Sequence, residues 1–121
     1  ISARPPFYYI DLLNIAKLFI HTSRYETFGL VAIEANAMGV PVFTTNNGSM
    51  KEIITNKENG YLAEDIKDKN ANTLIKNLTN NNQYFEEVMT ICMQKSKDYR
   101  WEKTVNSLLK LYQEAKFSLK N

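Results

Sequence analysis

The residues Ser23-Arg-Tyr-Glu26-Thr-Phe-Gly29-Leu-Val-Ala-Ile-Glu34 set two carboxylates on either side of a glycine turn and the start of an apolar helical run. A helix start presents backbone N–H groups without intrahelical acceptors and the positive end of the helix dipole, a natural seat for a phosphate. Gly29, Leu30 and Val31 open the run, and Glu34 lies one turn inside it. At a rise of 1.5 Å per residue, Glu34 stands roughly 6 Å along the axis from that seat. A diphosphate and the ribose of one nucleotide are separated by about as much. Glu26, on the other side, is placed to reach a sugar on the far phosphate. The spacing suits a nucleotide-sugar. Each carboxylate also has a plainer reading. Ser23-x-x-Glu26 is a capping-box pattern, and Glu34 could simply solvate a helix face. Against the latter, its neighbours Val31, Ala32, Ile33, Ala35 and Ala37 are apolar, and a charge in such a setting usually has a partner.

Glu26 and Glu34 form a Glu-x7-Glu pattern, and other motifs follow it in order. Ser23 to Gly29 reads Ser-x-x-Glu-x-Phe-Gly, and Glu34-Ala35 leads to Gly39-Val-Pro41-Val42. Then come Thr44-Thr45-x-x-Gly48, Glu52-Ile53-Ile54, Glu58-Asn59-Gly60-Tyr61-Leu62 and, near the end, Tyr99-Arg-Trp101-Glu102. Together these resemble the retaining glycosyltransferases of the GT-B fold, most closely glycosyltransferase family 4, over nearly the whole chain.

The resemblance implies an α/β fold with a parallel, Rossmann-like sheet. Residues 1–121 correspond to the second half of the C-terminal nucleotide-sugar-binding domain, with added C-terminal helices. The N-terminal acceptor domain and the early strands of the donor domain are expected upstream, so this segment is not expected to catalyse alone. By resemblance, Glu34 binds the ribose hydroxyls and Glu26 is the catalytic carboxylate, contacting the donor sugar near the reacting carbon. Phe28, Gly29, Leu30 and Val31 act through backbone N–H groups on sugar hydroxyls and diphosphate oxygens, with the Phe28 and Leu30 side chains expected in the core. Gly48 and Ser49 end a strand and open a helix, at the carboxyl edge where α/β sheets bind ligands. There Ser49 either narrows the site, adds a hydroxyl contact or is a plain N-cap. Both glutamates, Gly29 and Gly48 are expected to line one pocket. Arg24 and Tyr25 are further candidates for the cleft.

The chain departs from the family pattern in three places. Thr22 stands where proline is common, Thr27 where glycine is frequent after the first glutamate, and Ser49 where a second glycine is frequent. Thr22 and Thr27 remove no functional group, but they leave donor preference open. The sequence has no Asp-x-Asp, so metal-independent transfer with no cofactor beyond the substrate is expected. The expected partners are a nucleotide-sugar donor and a glycan, lipid or small-molecule acceptor bound through the N-terminal domain. Nucleic acid is not expected. The expected location is cytoplasmic, including peripheral contact of the full protein with the inner membrane face. Two other readings are a nucleotide-sugar isomerase or phosphorylase on the same scaffold, and a non-catalytic Rossmann-like interaction domain.

Composition agrees with one modest α/β unit. The sequence has 121 residues, a net charge of +2 and 44% hydrophobic residues, too little charge to argue for nucleic acid. No run approaches a membrane span. The single Cys92 sits among Val88, Met89 and Ile91 at helical spacing and reads as a buried thiol. His21, the only histidine, reads as a packing residue on the strand before the motif. The hydrophobic periodicity predicts a helix over 9–16, strands at 18–22, 42–45 and 61–63, and a helix from Leu30 to Met38 stopped by Gly39. Ser49-Met-Lys-Glu52 is a capping-box pattern for a short helix through Ile54. Three more helices are predicted near 70–79, 83–97 and 101–118. In the last, Trp101, Val105, Leu108, Tyr112, Ala115 and Leu119 give one apolar face. A sheet this thin leaves its first strand with an unpaired edge.

Overall fold

Short apolar runs alternating with longer helical ones fold here into a parallel sheet with helices packed on it. The computed structural model describes residues 6–65 and 67–118. In chain order it contains α1 (Pro6–Ile15), β1 (Phe19–His21), α2 (Leu30–Ala37), β2 (Val42–Thr45), α3 (Met50–Ile53) and β3 (Gly60–Ala63). They are followed by α4 (Asn70–Asn80), α5 (Asn82–Ser96), a 3₁₀ turn at Lys97–Tyr99, and α6 (Trp101–Ser118). Every element read from the sequence is present, with ends moved by at most a few residues.

The sheet has the order β1-β2-β3, and both pairings are parallel. Phe19 pairs with Val42 and His21 with Thr44, while Val42 pairs with Gly60 and Thr45 with Ala63. The central β2 is buried on both faces, as its composition predicts. Val42 points into a core formed with Leu13 of α1, Ala32 and Ala35 of α2, and Met50 and Ile53 of α3. The alanines let α2 approach the sheet closely. Phe43, the next residue, faces the other way and stacks on Tyr61 with ring centroids 5.8 Å apart.

Helix α5 lies against α2 and carries Val88 and Cys92 into a second cluster with Leu78 of α4. Burial pushes the Cys92 thiol up to about 12. It is therefore protonated and unreactive at neutral pH, as the apolar reading of this residue expects.

Buried between α2, α3 and β3 is a pair of amides. Asn36 Nδ2 donates to the carbonyls of Val40 (3.0 Å) and Asn59 (3.1 Å). Asn59 Nδ2 donates to Asn36 Oδ1 (2.6 Å) and the Ile53 carbonyl (2.9 Å), and Asn59 Oδ1 accepts from the Thr55 N–H (2.7 Å). Both residues are almost fully buried, and every amide hydrogen has an acceptor. The pair ties the ends of α2 and α3 to the turn before β3.

Two surfaces are left open. The outer edge of β1 has no strand partner among the described residues, and Ile20 there is 55% exposed. The expected apolar stripe of α6 forms, but Trp101, Val105, Leu108 and Tyr112 are all exposed; Leu119 lies outside the described residues. No helix among the described residues is long and apolar enough to cross a membrane.

Replacing Asn59 by alanine would strand Asn36 Oδ1, the Ile53 carbonyl and the Thr55 N–H. At a cost of 1–3 kcal/mol per orphaned buried group, Asn59→Ala is expected to lose about 3 kcal/mol or more of stability. Denaturant titration against wild type measures this, and an unchanged midpoint would show that the amide pair holds nothing together.

Candidate functional site

The residues between β1 and α2 cross the carboxyl end of the sheet, and the loop after β2 holds them there. Thr45 Oγ1 and Asn47 Nδ2 both donate to the Ser23 carbonyl, at 2.9 and 2.6 Å. Three residues further on, the Glu26 carbonyl accepts the Ser49 N–H at 3.1 Å. This contact requires Gly48. Its φ is +50°, and a Cβ built there would overlap the Glu26 carbonyl oxygen. Gly29 is constrained as well: its φ is +80°, and a Cβ would stand 2.7 Å from Ile53 Cδ1.

The Glu26 carboxylate is held on both oxygens. Oε1 accepts the N–H groups of Thr27 (3.1 Å) and Gly29 (3.3 Å), and Oε2 lies 3.4 Å from His21 Nε2. Behind the imidazole, Nδ1 is 3.3 Å from Thr44 Oγ1. The capping box suggested by Ser23-x-x-Glu26 does not form as such, because the Ser23 hydroxyl donates to the Tyr25 carbonyl instead. Glu26 still orders the approach to α2 through Gly29. Its local structural role and its place in the cleft therefore coexist.

Helix α2 begins at Leu30, and its first intrahelical bonds are those of Ala32 and Ile33 to the Gly29 carbonyl. The N–H groups of Leu30 and Val31 have no acceptor among the described residues. They are the donor pair that the sequence places there. The side chains differ from expectation. Phe28 and Leu30 are 60% and 59% exposed rather than in the core. The left-handed turn at Gly29 throws Phe28 out to the rim. On α2 the inward positions are taken by Ala32 and Ala35, which leaves Leu30 facing outward.

A pocket of about 290 Å³ opens beside Glu26, walled by Tyr25, Phe28, Gly48, Ser49 and Tyr99. The Ser49 hydroxyl is buried with no partner among the described residues. The capping box over Ser49–Glu52 is absent because Ser49 already has helical backbone angles (φ −76°, ψ −11°) and its side chain makes no cap. Capping needs an extended backbone at that position. Arg24 lies instead in a neighbouring depression with Thr22 and Ser23.

Gly29, Leu30, Val31 and Glu34 are not among the residues walling this pocket, so of the four residues expected to share it only Glu26 and Gly48 do. Glu34 lies exposed one turn along α2, and its carboxylate has no hydrogen-bond or ion-pair partner among the described residues. It faces toward α1: burial, and secondarily the Glu34 charge, raise the Tyr9 phenol above its ordinary range. The Tyr9 hydroxyl is buried with no partner among the described residues.

Two further residues, His21 against Glu26 and Tyr99 in the pocket wall, are not singled out as site residues by the sequence. His21 reads there as packing. Tyr99 is legible only as part of a motif, yet the 3₁₀ turn returns it over α3, where its hydroxyl donates to the Glu52 carbonyl at 3.2 Å. Burial first, then the Asp98 and Glu52 carboxylates, raise its phenol.

A parallel sheet with a loop and a helix start over its carboxyl ends places the chain in the Rossmann-like class of α/β folds. The sequence profile described as glycosyl transferases group 1 matches residues 2–99, and the chain belongs to that family. An uncharacterised glycosyltransferase of Methanocaldococcus jannaschii is 36% identical over 104 residues, covering 86% of this chain and 30% of the relative. A D-inositol 3-phosphate glycosyltransferase of Rhodococcus jostii is 29% identical over 106 residues, covering 88% of this chain and 24% of the relative. The chain thus spans less than a third of the length of either. Among solved structures, sucrose-phosphate synthase from Thermosynechococcus elongatus superposes with a TM-score of 0.75 at 26% identity, over 92% of this chain and 28% of that one. Anabaena HepE, solved with UDP-glucose, has a TM-score of 0.69 at 23% identity, over 86% and 29%. The fold is that of the C-terminal domain of GT-B glycosyltransferases, as the resemblance implies.

Gly48→Ala is expected to detach the Glu26 segment from the loop after β2. Amide exchange at Gly29 and Ser49 should speed up at least about tenfold, with a stability loss of about 2 kcal/mol. Hydrogen-exchange NMR measures this; unchanged protection would show that the glycine is not required.

Proposed function

We propose that this segment holds the nucleotide-sugar donor of a retaining glycosyltransferase. The observation that carries the reading is a fixed carboxylate, Glu26, beside two unpaired N–H groups at the start of α2. In this reading the Leu30 and Val31 N–H groups, with Phe28 alongside, meet the diphosphate, whereas the Gly29 N–H, expected there from the sequence, is already given to Glu26 Oε1. Glu26 accepts a hydroxyl of the donor sugar beside the reacting carbon, while Gly48 and the free Ser49 hydroxyl close the pocket around it. Glu34, one turn along α2, takes the ribose diol, which a two-oxygen acceptor matches.

The reaction breaks the bond between the sugar's anomeric carbon and the diphosphate oxygen. The acceptor hydroxyl attacks on the face from which the nucleoside diphosphate leaves, so configuration is kept. As the bond breaks, negative charge grows on the diphosphate. Preorganised N–H donors at a helix start favour that change without reorganising. Their presence, and the absence of Asp-x-Asp from the sequence, support transfer without a metal ion. The nucleotide complexes of HepE support the donor class. The acceptor, whether glycan, lipid or small molecule, belongs to the rest of the protein, and the exposed face of α6 is available to pack against it. Work in the cytoplasm, including at the inner membrane face, fits this role.

The test is donor hydrolysis or transfer by the full-length parent protein with UDP-glucose, UDP-N-acetylglucosamine, GDP-mannose and ADP-glucose. Glu26→Ala is expected to lower kcat by about 10²–10³. Glu34→Ala is expected to raise the donor KM by about 10–100-fold, the worth of charge-assisted hydrogen bonds. If no donor is used, or both folded variants match wild type, the carboxylates are not the site and the non-catalytic reading takes over.

Excess EDTA is expected to leave the rate within about twofold of the untreated enzyme. Loss of activity restored by Mg²⁺ or Mn²⁺ would overturn the metal-independent reading.

A further inference from the structure

The carboxylate at the pocket is met by a side chain from the strand before it. His21 ends β1, and its ring is held from three sides. Phe19 stacks on it with centroids 6.3 Å apart, Thr44, its partner in the sheet register, stands at Nδ1, and Glu26 stands at Nε2. An ionised carboxylate only accepts, so the contact is favourable only when Nε2 carries a proton. Thr44 accommodates this in either form of the ring. Its hydroxyl can donate to Nδ1, or it can turn to the Thr45 carbonyl at 3.4 Å and accept from a protonated Nδ1.

Glu26 thus has Oε1 bound by the Thr27 and Gly29 N–H groups and Oε2 facing the imidazole. Without His21, only the Oε1 contacts would remain, and the carboxylate would be free to pivot about that oxygen. A carboxylate that must meet a sugar hydroxyl at one position is sensitive to such a pivot, since misplacement of about 1 Å can cost 10²-fold in rate.

We propose that His21 is a positioning residue for the donor sugar: its Nε2–H, braced from behind by Thr44, fixes the Glu26 carboxylate in the orientation that faces the pocket. This rests on the reading of Glu26 as a donor contact, and it adds a residue outside the Glu-x7-Glu pattern to the machinery of that site.

The test joins a spectroscopic and a kinetic readout on the full-length parent protein. With ¹⁵N-labelled histidine, the His21 resonances are identified by their loss in His21→Gln. Nε2 is expected to be protonated, and Glu26→Gln is expected to shift its signal. A ring protonated only at Nδ1, or a spectrum indifferent to Glu26→Gln, overturns the proposal. In the kinetic arm, His21→Ala is expected to lower kcat by about tenfold or more with the donor KM within about twofold, the split of a lost positioning contact. His21→Gln, which keeps an N–H near the same place, should recover most of that loss. His21→Phe, which restores bulk without a donor, should not. Recovery by phenylalanine and not by glutamine would make His21 a packing residue and overturn the proposal, even if the alanine variant folds poorly. Should wild type use none of the donors, the donor reading itself falls. The histidine spectrum then still decides whether His21 holds Glu26.

Discussion

The candidate site depends on one backbone contact, the Glu26 carbonyl resting on the Ser49 N–H across Gly48. The loop after β1 would otherwise be free to leave the sheet. Once docked, it sets three things together: the direction of the Glu26 side chain, the left-handed turn at Gly29, and the point where α2 begins. The contact is possible because position 48 has no Cβ. Neighbouring bonds to the Ser23 carbonyl from Thr45 and Asn47 bring the segment to the same place from the other end. A small number of directional contacts between two loops therefore position a carboxylate and a helix start relative to each other.

Those loops can be held only if the elements behind them are rigid, and the buried Asn36–Asn59 pair supplies much of that. Hydrophobic contacts among Ala32, Ala35, Val42 and Met50 are non-directional and would tolerate small slides of α2 along the sheet. Five hydrogen bonds converging on two buried amides would not. Each is worth little net, but losing one side of the pair strands the other in a dry interior. The pair thus fixes where α2 and α3 end. In effect it fixes where the pocket's two walls stand.

Much of the fold was legible because its signals are local. Strands at Val42–Thr45 and Gly60–Ala63 and the helix from Leu30 announce themselves by apolar runs bounded by glycine, proline and asparagine. The motif string also named the loops that meet at the carboxyl ends. What escaped is what depends on backbone angle or on distant pairing. Ser49-x-x-Glu52 has capping-box residues, yet helical angles at Ser49 cancel the cap. Phe28 and Leu30 look like core residues by type, but the turn at Gly29 puts Phe28 outside and the inward face of α2 belongs to Ala32 and Ala35. His21 is five residues from Glu26, but its function becomes visible only when Thr44 is seen behind it, across the strand pairing. Tyr99 reaches Glu52 over 47 residues of sequence, and no local pattern encodes that.

The separation of Glu34 from the Glu26 pocket follows from the same geometry. Glu34 stands one turn inside α2, roughly 6 Å along the axis from its start, while Glu26 lies on the loop before it. They can serve one ligand only if that ligand is long and lies along the first turn, with its charge at the free N–H groups between them. A nucleotide-sugar has that form: sugar, diphosphate, ribose. The exposed carboxylate of Glu34 is then the end of the site nearest α1, where the buried Tyr9 hydroxyl also lies; neither has a hydrogen-bond partner among the described residues. The Glu26 end is walled by groups this chain provides, and the Glu34 end is open to solvent.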